Sequence, residues 1–262
     1  MKLLFTSDLH LTRDTHREVL GVIRKQLEKC SPDVLVVSGD ISDQHSMNTY
    51  AFFGGFDLPV VFCLGNHDFA YDSVENARAR LLRDRDECLL KGVRNAHCLD
   101  IEGHFDTHGV RFYGNVLWYD GTLCNRPDRD RWMRKIWDCW LDCTIEGFRP
   151  AEEFGRCVEQ IVGEQSSASP GAKLVLVTHT VPLRALNAFD TATPDSIANC
   201  YSGAANLFDD HGVRPDLALC GHTHRRAECE FAHPDGRVAR CLNSGNDYWH
   251  STGVVSSDVI EI

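Results

Sequence analysis

The residues best suited to chemistry in this sequence fall in five short blocks. They are Asp8-Leu9-His10, Gly39-Asp40, Gly65-Asn66-His67-Asp68, His179 and Gly221-His222-Thr223-His224. Asp8, His10, Asp40, Asn66, His179, His222 and His224 together offer carboxylate, amide and imidazole donors. That set suffices for two cations sharing one bridging carboxylate. Paired cations commonly serve phosphoryl-ester hydrolysis, because they neutralise the ester oxygens and generate a hydroxide near neutral pH that attacks phosphorus in line. Singly, each block is weak. A strand-end aspartate is often a helix cap, a Gly-Asn pair suits an ordinary turn, and a lone histidine is more often structural. Their joint order, each after an apolar run, carries the reading.

Spacing narrows the roles. Asp8 and His10 are two apart, so at a strand end both face one side and can reach one ion. Gly39 removes a side chain where the backbone must turn tightly before Asp40. A carboxylate has two oxygens, which makes Asp40 the best bridge. Asn66 offers a neutral carbonyl oxygen. His222 and His224 are also two apart, but in a turn, where they can serve different ions.

The elements that must position these residues can be read from apolar periodicity. Residues 2–6, 34–37 and 59–64 read as strands, with helical spacing over 13–29, a short helical stretch near 48–53 and a charged helix over 73–90. This β-α-β-α-β order predicts a parallel sheet with right-handed crossovers. In such α/β folds, ligands gather at the strand ends. Residues 110–117, 173–177 and 217–220 read as further strands, and 226–231, 238–242 and 254–262 as closing antiparallel strands. Between them, 119–170 carries Trp132, Trp137, Trp140 and many charges with irregular helical spacing, ending in a linker over 166–171. We read residues 1–262 as one α/β domain, with 119–170 a helical insert or lid that covers the sheet or sets substrate choice.

Composition bounds the function. A chain of 262 residues that is 43% apolar buries a substantial core. Its formal charge of -11 argues against duplex nucleic acid as a partner. A small phosphate ester stays acceptable, since bound cations reverse the local field. The N-terminal residues turn polar too soon for a signal peptide, and no apolar run approaches the ~18 residues of a membrane span. The 12 cysteines are scattered, several in strands, which suggests a reducing, cytoplasmic setting. Cys139 and Cys143 stand four apart in an expected helix and read as a packing face.

The five blocks match, in order, the pattern D-x-H, G-D, G-N-H-D/E, H and G-H-x-H. In this the sequence resembles the calcineurin-like metallophosphoesterase superfamily over most of its length outside 119–170. The resemblance implies a four-layer α/β/β/α sandwich with the site at the strand ends. It implies one metal held by Asp8, His10, Asp40 and His224, and another held by Asp40, Asn66, His179 and His222. Matching members use Mn, Fe or Zn, a range that the mixed N/O donor set suits. His67 matches the family histidine proposed as general acid or transition-state stabiliser. Asp43 matches an aspartate that orients that histidine in the protein-phosphatase branch. The arginine that follows in that branch is here Gln44, then His45, a departure that argues against close kinship with Ser/Thr protein phosphatases.

Other residues are secondary. Asp68 is expected to cap the next helix or to orient a ligand. Pro182 and Asn243-Ser244-Gly245 resemble family turns near the rim. Trp118, Tyr119, Tyr248, Trp249 and His250 are candidates to reach it, with packing the default. The expected activity is hydrolysis of a phosphate mono- or diester, small or nucleotide-like. The alternatives are a nuclease acting on single strands, for which Arg126, Arg129, Arg131, Arg134 and Lys135 are the only basic cluster, and a non-catalytic binding module.

Overall fold

A computed structural model describes residues 1–43, 48–188, 195–246 and 254–262, leaving out the side chains of Trp132 and Ile136. Its elements run in the order β1 (Lys2–Thr6), α1 (His16–Cys30), β2 (Val34–Ser38), α2 (Thr49–Phe53), β3 (Val60–Cys63), α3 (Val74–Leu90), β4 (Ala96–Cys98), α4 (Leu99–Glu102), β5 (His104–Thr107) and β6 (Val110–Asn115). They continue with α5 (Arg129–Ile136), α6 (Pro150–Ser166), β7 (Lys173–Thr178), α7 (Leu207–His211), β8 (Leu217–Cys220), β9 (Ala227–Ala232), β10 (Val238–Asn243) and β11 (Asp258–Glu261).

Two sheets form, in the orders β11-β1-β2-β3-β4 and β5-β6-β7-β8-β10-β9. Strand periodicity builds the layers, because alternate residues point to opposite faces. Leu3, Phe5, Val34, Val36, Val61 and Cys63 of the first sheet meet Val110, Phe112, Val175, Val177, Leu217 and Leu219 of the second in one buried cluster. The other faces, with Leu4, Leu35, Phe62, Leu176 and Ala218, pack against helical residues such as Val19, Ile23, Phe154 and Ile161. Burial on both faces explains why these strands read as continuous apolar runs. The result is the expected α/β/β/α sandwich. Burying each large aliphatic or aromatic side chain contributes roughly 1.5–3 kcal/mol.

Some expectations needed correction. The closing strands are not one antiparallel set: β10 pairs parallel with β8 and antiparallel with β9. β11 returns to the first sheet as the antiparallel partner of β1. The segment 119–170 divides at Pro150. Before it lie α5 and short 3-10 turns, while α6 links parallel β6 and β7 and is tied to β6, Asn115 Nδ2 donating to the carbonyl of Cys157 at 3.1 Å. Cys139 and Cys143 occupy separate 3-10 turns, and Cys139 is exposed, so they form no common packing face. Among the described residues no helix is long and apolar enough to cross a membrane.

Candidate metal centre

All the ligand blocks follow strands. Asp8 and His10 lie beyond β1, Asp40 beyond β2, Asn66 beyond β3, His179 beyond β7, and His222 and His224 beyond β8. The loops after β1 and β2 run side by side, Asp8 N–H donating to Gly39 O at 3.0 Å and His10 N–H to Asp40 O at 2.9 Å. From the second sheet, Gly221 N–H donates to His179 O at 2.9 Å.

Five of these residues are bent into the left-handed region: Asp8 (φ 50°), His10 (43°), Asp40 (48°), His222 (71°) and His224 (53°). That conformation costs a non-glycine residue on the order of 1–2 kcal/mol. Strain of this kind persists only where surrounding structure fixes it, and it concentrates at functional sites. Its effect is to turn successive side chains inward toward one point. Imidazole and carboxylate atoms gather in overlapping groups whose members lie within 4.8 Å of one another: Asp8, His10, Asp40 and His224; Asp40, His179 and His222; and His10, Asp43 and His67.

The histidines are held by their second nitrogens. His179 Nδ1 lies 3.0 Å from Ser38 O, His222 Nε2 2.9 Å from Tyr201 O, and His224 Nδ1 2.7 Å from Asn246 O. Donating an N–H to a carbonyl fixes the tautomer and leaves the other nitrogen as an acceptor. Nε2 of His179 and His224 and Nδ1 of His222 are thereby left for the centre. One oxygen of Asp43 sits 2.9 Å from His10 Nδ1 and 3.0 Å from His67 Nδ1, so a single carboxylate orients both rings.

Asp40 occupies the middle. Its Oδ1 lies 3.3 Å from His179 Nε2 and its Oδ2 3.6 Å from His10 Nε2, so the two oxygens face different groups. Burial pushes this carboxyl up, but the charges of His179, His67 and His10 outweigh it and hold it well below the usual range. In return Asp40 lifts both His179 and His67 to about 9 against the opposing effect of burial, with Asp43 helping at His67. Burial, reinforced by the charge of His179, drives His222 down to about 3. Asp40 thus favours protons on His179 and His67, and cation binding, which requires neutral nitrogens, would displace a proton from His179.

Other side chains lie where the sequence pointed, or elsewhere. Asp68 does not cap the following helix; the Ser73 side chain does. Asp68 accepts instead from Ile41 N–H (3.1 Å), Ser42 N–H (2.9 Å) and Gly65 N–H (2.9 Å), fastening the Asp40 loop to the Asn66 loop. Trp118 and Tyr119 are buried, and Thr180 Oγ1 donates to Trp118 O at 2.5 Å. Gln44, His45, Tyr248, Trp249 and His250 lie outside the described residues, as does the side chain of Trp132. Arg126 is paired with Asp128 at 2.9 Å, which dilutes the basic cluster.

Asp142 was not singled out in the sequence. It is buried, and it accepts from Asn66 Nδ2 at 2.9 Å and from Tyr119 OH at 2.8 Å. Holding the amide nitrogen turns Asn66 Oδ1 inward, where it lies 3.1 Å from His179 Nε2. Nothing in the residues around position 142 announces this role.

The residues fit a pair of cations. The donors are imidazole nitrogens and carboxylate or amide oxygens, with no thiolate among them. The backbone is also pared away around them. A Cβ at Gly65 would collide with the Asp40 carboxylate, one at Gly39 with the His179 ring and one at Gly221 with Asp8. A cavity of about 420 Å³ opens beside the centre, lined by Asp40, Asn66, His67, His222 and His224 and walled by Trp140 and Leu141.

A parallel-rich double sheet thus carries clustered His and Asp at its strand ends. The chain belongs to the calcineurin-like phosphoesterase family, whose sequence pattern matches residues 1–226. Over 82 residues it is 30% identical to a probable cyclic nucleotide phosphodiesterase of Pseudoalteromonas sp. (strain SM9913), a match spanning 26% of this chain and 31% of that protein. Its fold is similar to the phosphopantetheinyl hydrolase PptH of Mycobacterium tuberculosis, with a TM-score of 0.65 at 15% identity over 99% of this chain and 95% of that one. A dimetal phosphatase from Danio rerio is also similar, with a TM-score of 0.51 at 13% identity over 94% and 87% of the two chains. At these identities the two solved structures speak to the fold.

Proposed function

We propose that the chain hydrolyses a small, nucleotide-like phosphate mono- or diester at a dinuclear centre. The observation that carries this is the division of Asp40, one oxygen facing His179 and the other His10. Asp8, His10, Asp40 and His224 would hold one cation, and Asp40, Asn66, His179 and His222 the other. Manganese, iron and zinc all suit the donors. When bound, the pair neutralises the ester oxygens and acidifies water at the centre.

His67 stands beside this pair with its side chain 21% exposed, able to meet substrate, and its Nε2 3.9 Å from Asp40 Oδ2. With Nδ1 held by Asp43, Nε2 carries the proton that passes to the leaving oxygen as the P–O bond breaks. Asp43 fixes the angle of delivery. The local likeness to a probable cyclic nucleotide phosphodiesterase supports a nucleotide-like substrate. We place the enzyme in the cytoplasm, on the strength of its free and mostly buried thiols.

The test is hydrolysis by manganese-loaded protein of bis-p-nitrophenyl phosphate, p-nitrophenyl phosphate, cyclic nucleotides and single-stranded DNA. No turnover with any divalent metal would refute the proposal. His67→Ala is expected to keep both metals and to lose about 10²–10⁴-fold in turnover. Loss of a metal from that variant would reassign His67 as a ligand.

A further inference from the structure

The cavity beside the centre is lined by two chemical kinds of residue: the His, Asp and Asn groups described above, and Trp140, Leu141, Ala198 and Ser202. Trp140 is half-buried, and its ring lies 4.4 Å from that of Tyr201 at 38°. Tyr201 is itself fixed, its hydroxyl donating to Met133 O at 3.0 Å and its ring meeting Tyr119 edge-on at 5.2 Å. The carbonyl of the same Tyr201 holds His222 Nε2 at 2.9 Å. Trp140 is therefore backed by a residue that also positions the metal side, which sets its indole at a fixed place relative to the centre.

Charge distinguishes this wall further. Among the described residues, no lysine or arginine lines the cavity. The segments 44–47, 189–194 and 247–253 contain none in their sequence either. A phosphoryl group can be met by the cations, but a second anionic group on the substrate would find no basic partner and would face Asp142. An indole, by contrast, offers a flat apolar surface to a planar or apolar group at little entropic cost.

We propose that Trp140 is a stacking platform, and that the site selects esters whose one phosphoryl group is attached to a neutral, planar or apolar moiety. This rests on the proposed phosphoesterase reading and narrows it. A nucleoside carrying one phosphate fits; one carrying a chain of phosphates does not. Trp140 acts through binding the part of the substrate that does not react.

Calorimetric titration of manganese-loaded protein with non-hydrolysable ligands tests the proposal: inorganic phosphate, methylphosphonate, phenylphosphonate, propylphosphonate and 3-phosphonopropionate. Phenylphosphonate is expected to bind about tenfold tighter than methylphosphonate, the gain of one aromatic stack. Trp140→Ala should erase most of that gain, Trp140→Phe should retain much of it, and both should bind inorganic phosphate as the wild type does. The carboxylate of 3-phosphonopropionate should weaken binding relative to propylphosphonate. Equal binding of the phenyl and methyl ligands, or a gain that survives in Trp140→Ala, overturns the platform. Tighter binding of the carboxylate ligand overturns the single-anion preference. Failure of inorganic phosphate to bind wild-type protein refutes the phosphoesterase reading itself, a separate outcome.

Discussion

Replacing Asp142 by alanine should loosen one metal position while leaving the fold standing. Asp142 accepts from Asn66 Nδ2 at 2.9 Å and from Tyr119 OH at 2.8 Å, and it is buried. The variant strands both donors away from water. A buried polar group left without its partner costs about 1–3 kcal/mol, so the two together cost roughly 2–6 kcal/mol. For a chain of this length that corresponds to a fall in Tm of about 4–11 °C. The more informative effect is on Asn66. Without its anchor the amide can rotate, and its oxygen no longer points steadily toward His179. Loss of a partner behind a metal ligand typically costs about 10–100-fold in metal affinity or activity.

Asp142→Asn separates geometry from charge. The introduced amide oxygen can still accept from Asn66 Nδ2, and its NH₂ can donate to the Tyr119 hydroxyl, so both contacts survive without the negative charge. The expected result is a near-normal Tm and metal affinity within a few-fold of wild type, against a much larger loss in Asp142→Ala. Metal content after dialysis, manganese titration and thermal unfolding on the same preparations read all three quantities. If Asp142→Ala lowers Tm but binds two metals with wild-type affinity, Asp142 is a packing residue and the orienting argument fails. If Asp142→Asn is as damaging as Asp142→Ala, the charge and not the hydrogen bond to Asn66 is what matters.

Gly65→Ala should lose metal and activity, because its Cβ would collide with the Asp40 carboxylate, whereas a Cβ at Gly92 (φ 85°) would meet nothing within 4 Å beyond its chain neighbours. Gly92→Ala should therefore keep both metals and cost only about 1 kcal/mol of backbone strain; metal content after dialysis compares the two. Removing metal with a chelator should lower Tm, and manganese at about 100 times its Kd should restore about 2.7 kcal/mol; a Tm indifferent to metal would contradict the centre. Asp106 gives a pH test away from the site. The hydrogen bond from Arg111, with burial opposing it, holds this carboxyl below its ordinary value. Its stabilisation is thus present above about pH 4, the unfolded value, and is lost as pH falls through the folded one. Wild type should exceed Asp106→Asn in urea midpoint at pH 6, and the gap should close on acidification.

What could be read in advance follows from which interactions are local. β1, β2, β3, β7 and β8 were legible because apolar runs buried on both faces leave an unambiguous trace, and the donors at their ends follow in sequence. Strand partners leave no such trace. Residues 238–243 and 258–261 read equally well as neighbours, yet β10 aligns with β8, and β11 crosses to β1, where Lys2 stands opposite Glu261. β4 and β5 were missed because Ala96–Cys98 and His104–Thr107 form no apolar run. Trp118 and Tyr119 were candidates to reach the rim by their place after a strand, with packing the default. Left-handed backbone at Leu117 (φ 66°) and Trp118 (φ 55°) turns the chain, and both rings are buried. The same limit applies at the site. Blocks of two to four residues announce a ligand set because their members share a loop. Asp142 and Tyr201 support it from distant turns, by a carboxylate and a bare carbonyl, and Ser38 by its carbonyl from the end of β2. A backbone carbonyl has no residue type, so no sequence pattern reveals that Tyr201 O holds His222. The tautomers that direct His179, His222 and His224 toward the centre are therefore properties of the fold, which is why positions outside the five blocks govern how the blocks work.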